Sequence, residues 1–177
     1  SSSLASAKVQ GNIVDTLMPP LSAAEIVTGY LFGAVARGFL VAVVIGLGCM
    51  VFLNIIPQNL IWVVTFVFLG SVLMGGLGLI AGIFANKFDQ LSAISNFLIT
   101  PLAFLSGTFY SIDALPAFLQ KLSHANPFFY IIDGVRHGMI GVSDSSPWIG
   151  LAVVSVACIM VVGINWRWIK TGYRLKA

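Results

Sequence analysis

The sequence predicts an all-α integral membrane protein with four transmembrane helices, and three observations carry that prediction. Charged residues are 8% of the 177-residue chain and apolar residues 58%, against about 25% charged in soluble domains. So few charges cannot cover the surface of a soluble fold, and the mean hydropathy is +0.99. No Lys, Arg, Asp or Glu occurs between Gly38 and Asn86, more than twice the roughly 20 residues that one helical crossing needs. Two further uncharged windows run from Gln90 to Ile112 and from Ser145 to Trp166. These apolar runs are continuous and far exceed the roughly ten residues of a barrel strand, so helices are expected rather than lipid-facing strands.

The chain starts on "SSSLASAKVQGN", with neither an initiator Met nor a signal-peptide pattern, which suggests a fragment or a processed product. Residues 8–19 then carry Lys8 and Asp15 among the apolar Val9, Ile13, Val14 and Leu17, an amphipathic helical pattern stopped at Pro19 and Pro20. Such an element either rests on lipid as an interfacial helix or offers a docking surface to a cytoplasmic partner. Ser22 and Glu25 have capping-box spacing, so a fresh helix is expected to start there.

The first span is expected at 27–53. Arg37 is its one charge, about ten residues in, which at 1.5 Å per residue is roughly 15 Å along the helix. A charge at that depth must snorkel, pair or face water, and no acidic residue in another span offers a partner. Asn54, Pro57, Gln58 and Asn59 form the polar cluster that separates this span from the next, 60–85. The second span reads "GSVLMGGLGLIAG", where glycines admit close approach of a neighbouring helix. The third span, 91–108, contains Pro101, which removes a backbone donor and should bend the helix. The fourth is 148–169. Cys49 and Cys158 fall inside apolar windows and read as small buried hydrophobes.

With a cytoplasmic start, Lys8, Lys87, Arg167, Lys170, Arg174 and Lys176 lie inside and only Lys121 and Arg136 outside, as the positive-inside rule requires. Both ends are then cytoplasmic. Trp62, Trp148, Trp166, Trp168 and Tyr173 fall near span ends, where their rings suit the headgroup level. Between the third and fourth spans the outer segment is too polar to cross again, yet it carries Leu115, Phe118, Leu119, Leu122 and the run Phe128 to Ile132. Two short amphipathic helices, 115–123 and 127–140, fit this pattern, lying at the outer interface or dipping part way in and returning.

No arrangement for catalysis emerges. His124, His137, Asp113 and Asp133 form a metal cluster only if the loop folds them together, and capping or solvated roles suit them better. Asp133 and Arg136, at i and i+3, suit a local helix pair. Ser106 and Ser111 lack a recognisable base. There is no GxxxxGK[ST] phosphate loop, so this chain is not expected to handle nucleotide.

The stretches "NIVDTLMPPLSAAEIVTGY" and "PLAFLSGTFYSIDALPAFLQKLSHANPFFYIIDGVRHG", with the closing span and its basic tail, resemble the membrane subunit of a bacterial ABC-2 type exporter. The second stretch is the more specific, in its order of Pro, Ser-Gly, Phe-Tyr, Leu-Pro and Asn-Pro. Permeases of that family usually have six spans, and residues 1–177 match the latter two-thirds, so the resemblance implies an N-terminally truncated piece of a transmembrane domain. It implies an inner-membrane, multi-pass permease that works with two cytoplasmic ATPase subunits and a second permease copy, in contact with lipid and not with nucleic acid. ATP and Mg would be held by the ATPase partner and no cofactor by this chain. Residues 8–19, with Lys8, Ile13, Asp15 and Leu17, would match the coupling helix. Residues 109–140 would match the short helices that close the path, making Gly107, Phe109, Tyr110, Asp113, Pro116, Asn126 and Pro127 an outer gate region. The implied activity is outward movement of an amphiphile, drug or lipid-linked glycan. The competing readings are a non-transporting membrane assembly or sensory protein and, behind it, an intramembrane enzyme.

Overall fold

A computed structural model describes residues 22–85, 88–106 and 117–172. The coupling segment with Lys8, Ile13, Asp15 and Leu17, the residues Gly107, Phe109, Tyr110, Asp113 and Pro116, and Tyr173 lie outside them. Everything described is helix or short connection.

Helix α1, Ala23–Leu53, opens with the capping box anticipated from Ser22 and Glu25. The Glu25 carboxylate accepts from the Ser22 N–H at 2.6 Å and the Ser22 hydroxyl accepts from the Glu25 N–H at 3.3 Å, satisfying two donors that have no intrahelical partner. The helix stops at Asn54, whose φ of 52° is left-handed, a conformation Asn tolerates. Helix α2, Leu60–Phe84, follows the Pro57-Gln58-Asn59 turn.

The next helical rod is in three parts: α3, Phe88–Ile94, a π turn at Ser95–Ile99, and α4, Thr100–Phe104. Pro101 explains the widening. It has no N–H for the Phe97 carbonyl, and its ring crowds that carbonyl, so the helix relaxes into the wider π geometry at the turn before the proline. The bend anticipated at Pro101 is thus taken up by a π turn one step earlier in the chain.

Helices α5, Ala117–His124, and α6, Pro127–Ile140, precede α7, Pro147–Thr171. Proline stands at the start of both α6 and α7, where its missing N–H is harmless. Gly141 at φ 75° and Gly172 at φ 65° end them in the left-handed region that Gly enters without strain.

Among the described residues three helices, α1, α2 and α7, are long and apolar enough to cross a membrane. The molecule is therefore an all-α, multi-pass membrane protein. Many of its large apolar side chains face outward, with Phe32 77% and Phe52 86% exposed, and in lipid that is no penalty. Adhesion between helices must come from close packing instead.

Helix α2 is the hub, touching α1, α6 and α7. Phe66, Leu73, Phe129, Tyr130, Val154 and Cys158 form the main core, and Val27, Ile83 and Ile169 a second one near the start of α1. The register follows from small residues. A Cβ on Gly75 would stand 2.6 Å from the Ala34 methyl, and one on Gly38 would overlap Ser71, so α1 lies antiparallel on α2 through Ala34/Gly38 and Ser71/Gly75. Gly76 faces Val161 and Asn165 at similarly close range, and Gly150 faces Phe66, so α7 runs parallel to α2. Gly70, Gly75 and Gly76 of α2 thus stand at close contacts with neighbouring helices.

Candidate functional site

The described residues offer two connected features: a groove over α2, and a set of ties that hold α6 beside the first half of α2.

The ties begin with glycine. Gly134 and Gly138 are one helical turn apart on α6. The Phe66 ring fills the space above Gly134, and a Cβ on Gly138 would stand 2.6 Å from Val63 and 2.8 Å from its backbone nitrogen. Ile131 packs on Gly70, further along α2. Helix α6 therefore ends level with the start of α2, and its Ile131 lies about ten residues deeper, roughly 15 Å along the α2 axis.

Every carbonyl in the last turn of α6 finds a donor. His137 accepts from the Gly141 N–H at 2.9 Å, Gly138 from the Asn59 N–H at 2.9 Å, Met139 from the Gln58 N–H at 3.3 Å and Ile140 from Gln58 Nε2 at 3.2 Å. The polar cluster that separates the first two apolar helices is thus also the cap of a helix some eighty residues later. Nothing local in the sequence signals that second task.

At the other end of α6, Asn126 is buried and works in two directions. Its Oδ1 accepts from the Phe128 N–H at 3.0 Å as the helix cap, and its Nδ2 donates to the Leu102 carbonyl of α4 at 2.7 Å. That carbonyl lies in the last turn of α4, between Pro101, which accepts from Leu105 at 3.0 Å, and Ala103, which accepts from Ser106 at 3.3 Å. Pro127 supplies the first residue of α6. Of the anticipated gate residues these two are described, and both sit where α4 meets α6.

A charged cluster closes the turn between α6 and α7. Arg136 Nη2 lies 2.6 Å from Asp133 and 2.6 Å from Asp144. Asp133, only 3% exposed, also accepts from the N–H groups of Asp144 and Ser145 at 2.8 and 3.0 Å and from the Ser145 hydroxyl at 3.0 Å. Burial opposes the Arg136 charge, but its hydrogen bonds to Asp144 and Asp133 and the charges of both outweigh burial, so its pKa moves upward and it stays cationic. The i, i+3 pair was legible in the sequence. Asp144 and Ser145 were not, although "SDSSP" is turn composition of the kind that bonds to backbone and side chains.

Trp62, anticipated at the headgroup level, stacks on Phe66 at 5.9 Å and meets Trp148 and His137 edge-on at 5.1 and 6.1 Å. Lys170 lies 4.8 Å above Trp166. His124 and His137 belong to different helices, and no group of three metal-ligating residues gathers among the described residues. Cys158 is buried and donates to the Leu69 carbonyl at 3.3 Å. Asn165, missed in the sequence reading, is fully buried and ties α7 to α2, its Nδ2 donating to the Gly76 carbonyl at 2.9 Å and to the Val161 carbonyl at 2.8 Å.

The groove runs between α1 and α6 over the face of α2. Its volume is about 800 Å³, and its walls are mainly apolar, including Val41, Met74, Ile131 and Val135. Arg37 lines it, with its side chain exposed and in no ion pair among the described residues. Ser71 and Tyr30 supply most of the remaining polarity. Among the described residues no group of three metal-ligating side chains lies on it, and its polar lining is Arg37, Ser71 and Tyr30.

Comparison with known proteins agrees with this description. Residues 1–140 match the ABC-2 type transporter family. The whole chain is 36% identical to the inner membrane transport permease YadH of Escherichia coli strain K12, covering 69% of that protein. It is 26% identical over 125 residues, 71% of this chain and 48% of the relative, to nodulation protein J of Neorhizobium galegae. No solved structure matches.

Proposed function

Because the chain belongs to the ABC-2 type transporter family, and so is a non-catalytic permease subunit of an ATP-binding cassette exporter, we propose how its parts divide that task. Four crossings are made by 27–53, 60–85, 91–108 and 148–169, with both ends cytoplasmic and the plasma or inner membrane as the location. The charge distribution supports this orientation, since it puts Lys8, Lys87, Arg167, Lys170, Arg174 and Lys176 on the inner side against Lys121 and Arg136 outside. Residues 8–19 are the coupling segment on two cytoplasmic ATPase subunits, which hold the ATP and Mg. A second permease copy completes the path, and the cargo is an amphiphile, drug or lipid-linked glycan.

On this orientation α5 and α6 dip from the outer side to about the level of Gly70 and return, as a re-entrant pair. One observation carries that reading: α6 lies along the first half of α2 through Gly134 and Gly138, and its last carbonyls are capped by Gln58 and Asn59. Irregular backbone at that depth is tolerated where protein satisfies it. Gly107, Phe109, Tyr110, Asp113, Pro116, Asn126 and Pro127 are then the outer gate region.

The test is reconstitution of the full-length protein with its ATPase. Charge reversal at Lys8 and Asp15, or proline at Ile13 or Leu17, is expected to uncouple ATP hydrolysis from transport. ATP hydrolysis and transport that remain coupled in those variants overturn the coupling role. For orientation, cysteines at Ser143 and Lys170, in a chain with Cys49 and Cys158 replaced by Ala, are expected to react with an impermeant maleimide from opposite sides.

A further inference from the structure

Arg37 is a permanent positive charge in a groove whose other walls are mainly apolar. It lies roughly 18 Å along α1 from Glu25 and roughly 24 Å from Leu53. That is further than the last turn or two from which a long side chain reaches the interface by extending its stem. No carboxylate among the described residues answers it, since the ion pairs formed are those of Arg136 with Asp133 and Asp144. An unpaired charge at such depth is costly unless something anionic or aqueous meets it.

We propose that the groove between α1, α2 and α6 binds the transported amphiphile in transit, with an anionic headgroup on Arg37 and its hydrocarbon against the α6 wall at Ile131 and Val135. The inference rests on the permease reading above and deepens it by naming the charge class of the cargo. Three features favour this occupant. The volume, about 800 Å³, is in the range of sites that enclose one small amphiphile. The walls suit a chain and the single charge suits an anion, with the planar guanidinium able to hold a phosphate or carboxylate by two bonds. The depth argues for cargo over resident lipid. A resident lipid keeps its headgroup near the interface, about 15 Å from the midplane, whereas a headgroup on Arg37 has left it.

Gly33 gives an independent handle on the same groove. It lines the cavity, it is exposed, and a Cβ there meets nothing within 4 Å. Gly33→Leu therefore adds bulk in the groove from a position with room for a Cβ, without changing charge.

The experiment uses the full-length protein in zwitterionic phosphatidylcholine nanodiscs. The probes are a fluorescent monoacyl phosphate and an uncharged monoacylglycerol of equal chain length. The wild type is expected to prefer the phosphate. Arg37→Gln should weaken phosphate binding about tenfold or more, as loss of a charge-assisted bond does, and leave the uncharged probe unaffected. Arg37→Lys should restore most of the preference, and Gly33→Leu should weaken both probes. Equal binding of the two probes by wild type, or an unchanged phosphate affinity in Arg37→Gln with Gly33→Leu also silent, overturns the proposal. Phosphatidylglycerol in the bilayer displacing the probe as readily as unlabelled monoacyl phosphate assigns the groove to resident lipid and overturns it too. If ATP hydrolysis still responds to substitutions at Lys8 to Leu17 while the charge preference is absent, this inference fails and the permease assignment of that segment stands. If the charge preference is present while that coupling is absent, the coupling reading fails instead.

Discussion

The side-chain amide of Asn126 donates to the carbonyl of Leu102 across 2.7 Å, joining the start of α6 to the end of the helix that carries Pro101. The same side chain caps α6 through its oxygen. The Asn side chain can accept at one atom and donate at another at once.

Asn126→Asp and Asn126→Ala should therefore separate the two roles. Aspartate keeps the cap and loses the donor, setting a carboxylate against the Leu102 carbonyl, while alanine loses both. Each should destabilise the purified protein by about 1–3 kcal/mol, read as thermal unfolding in detergent. The Asp variant should also loosen the contact between α4 and α6, measured by reduced yield of a cysteine cross-link between Ala103 and Ala125. Full cross-linking in the Asp variant would show that the bond to Leu102 is dispensable.

Gly134 lies under the Phe66 ring, so Gly134→Ala must push α6 away from α2. Overpacking of this kind costs about 1–3 kcal/mol. Gly163 on α7 is the contrast, because a Cβ there meets nothing within 4 Å. Gly163→Ala should be neutral or stabilising by up to about 1 kcal/mol. Fluorescence-detected size exclusion after heating ranks the two variants.

Asp133 and Asp144 both hold Arg136, but their surroundings differ. Asp133 is 3% exposed and accepts three further bonds, whereas the Asp144 side chain is 27% exposed. Asp133→Asn should lower stability by about 3 kcal/mol or more, since it leaves buried donors poorly matched. Asp144→Asn should cost no more than about 1 kcal/mol. Thermal unfolding of both variants beside wild type checks the order, and a larger loss for Asp144→Asn contradicts this account of the cluster.

Asn165 presents a buried amide whose Nδ2 is bonded while its Oδ1 has no partner. Asn165→Leu removes one interhelical bond and one unsatisfied oxygen together, so the stability change should stay within about 1 kcal/mol. Asn165→Asp places a charge at the α2–α7 contact and should abolish folding into the membrane or displace α7. Expression level and a cysteine cross-link between Gly78 and Ile164 report both outcomes.

Much of the protein follows from short-range rules that act along the chain. The scarcity of charge and the length of the apolar runs determined an all-α membrane protein. The Ser22–Glu25 cap and the Asp133–Arg136 pair were legible because both partners lie within one helical turn. Pro101 announced a distortion, although not that a π turn before it would absorb the strain.

Tertiary structure decided what depends on partners distant in sequence. Gln58 and Asn59 read as a turn, and only the approach of α6 makes them the cap for Gly138, Met139 and Ile140. Asp144 acquires Arg136 only when α6 and α7 pack side by side, and Asn165 acquires the Gly76 carbonyl only because that glycine lets α7 close on α2. Arg37 read as a charge that snorkels, pairs or meets water, and only the packing of α1 and α6 on α2 makes it line a groove. The physical reason is common to all of these. Backbone propensity and i, i+3 or i, i+4 neighbours are written in local sequence, whereas a hydrogen bond across 24 to 89 residues exists only after small residues have let the helices approach.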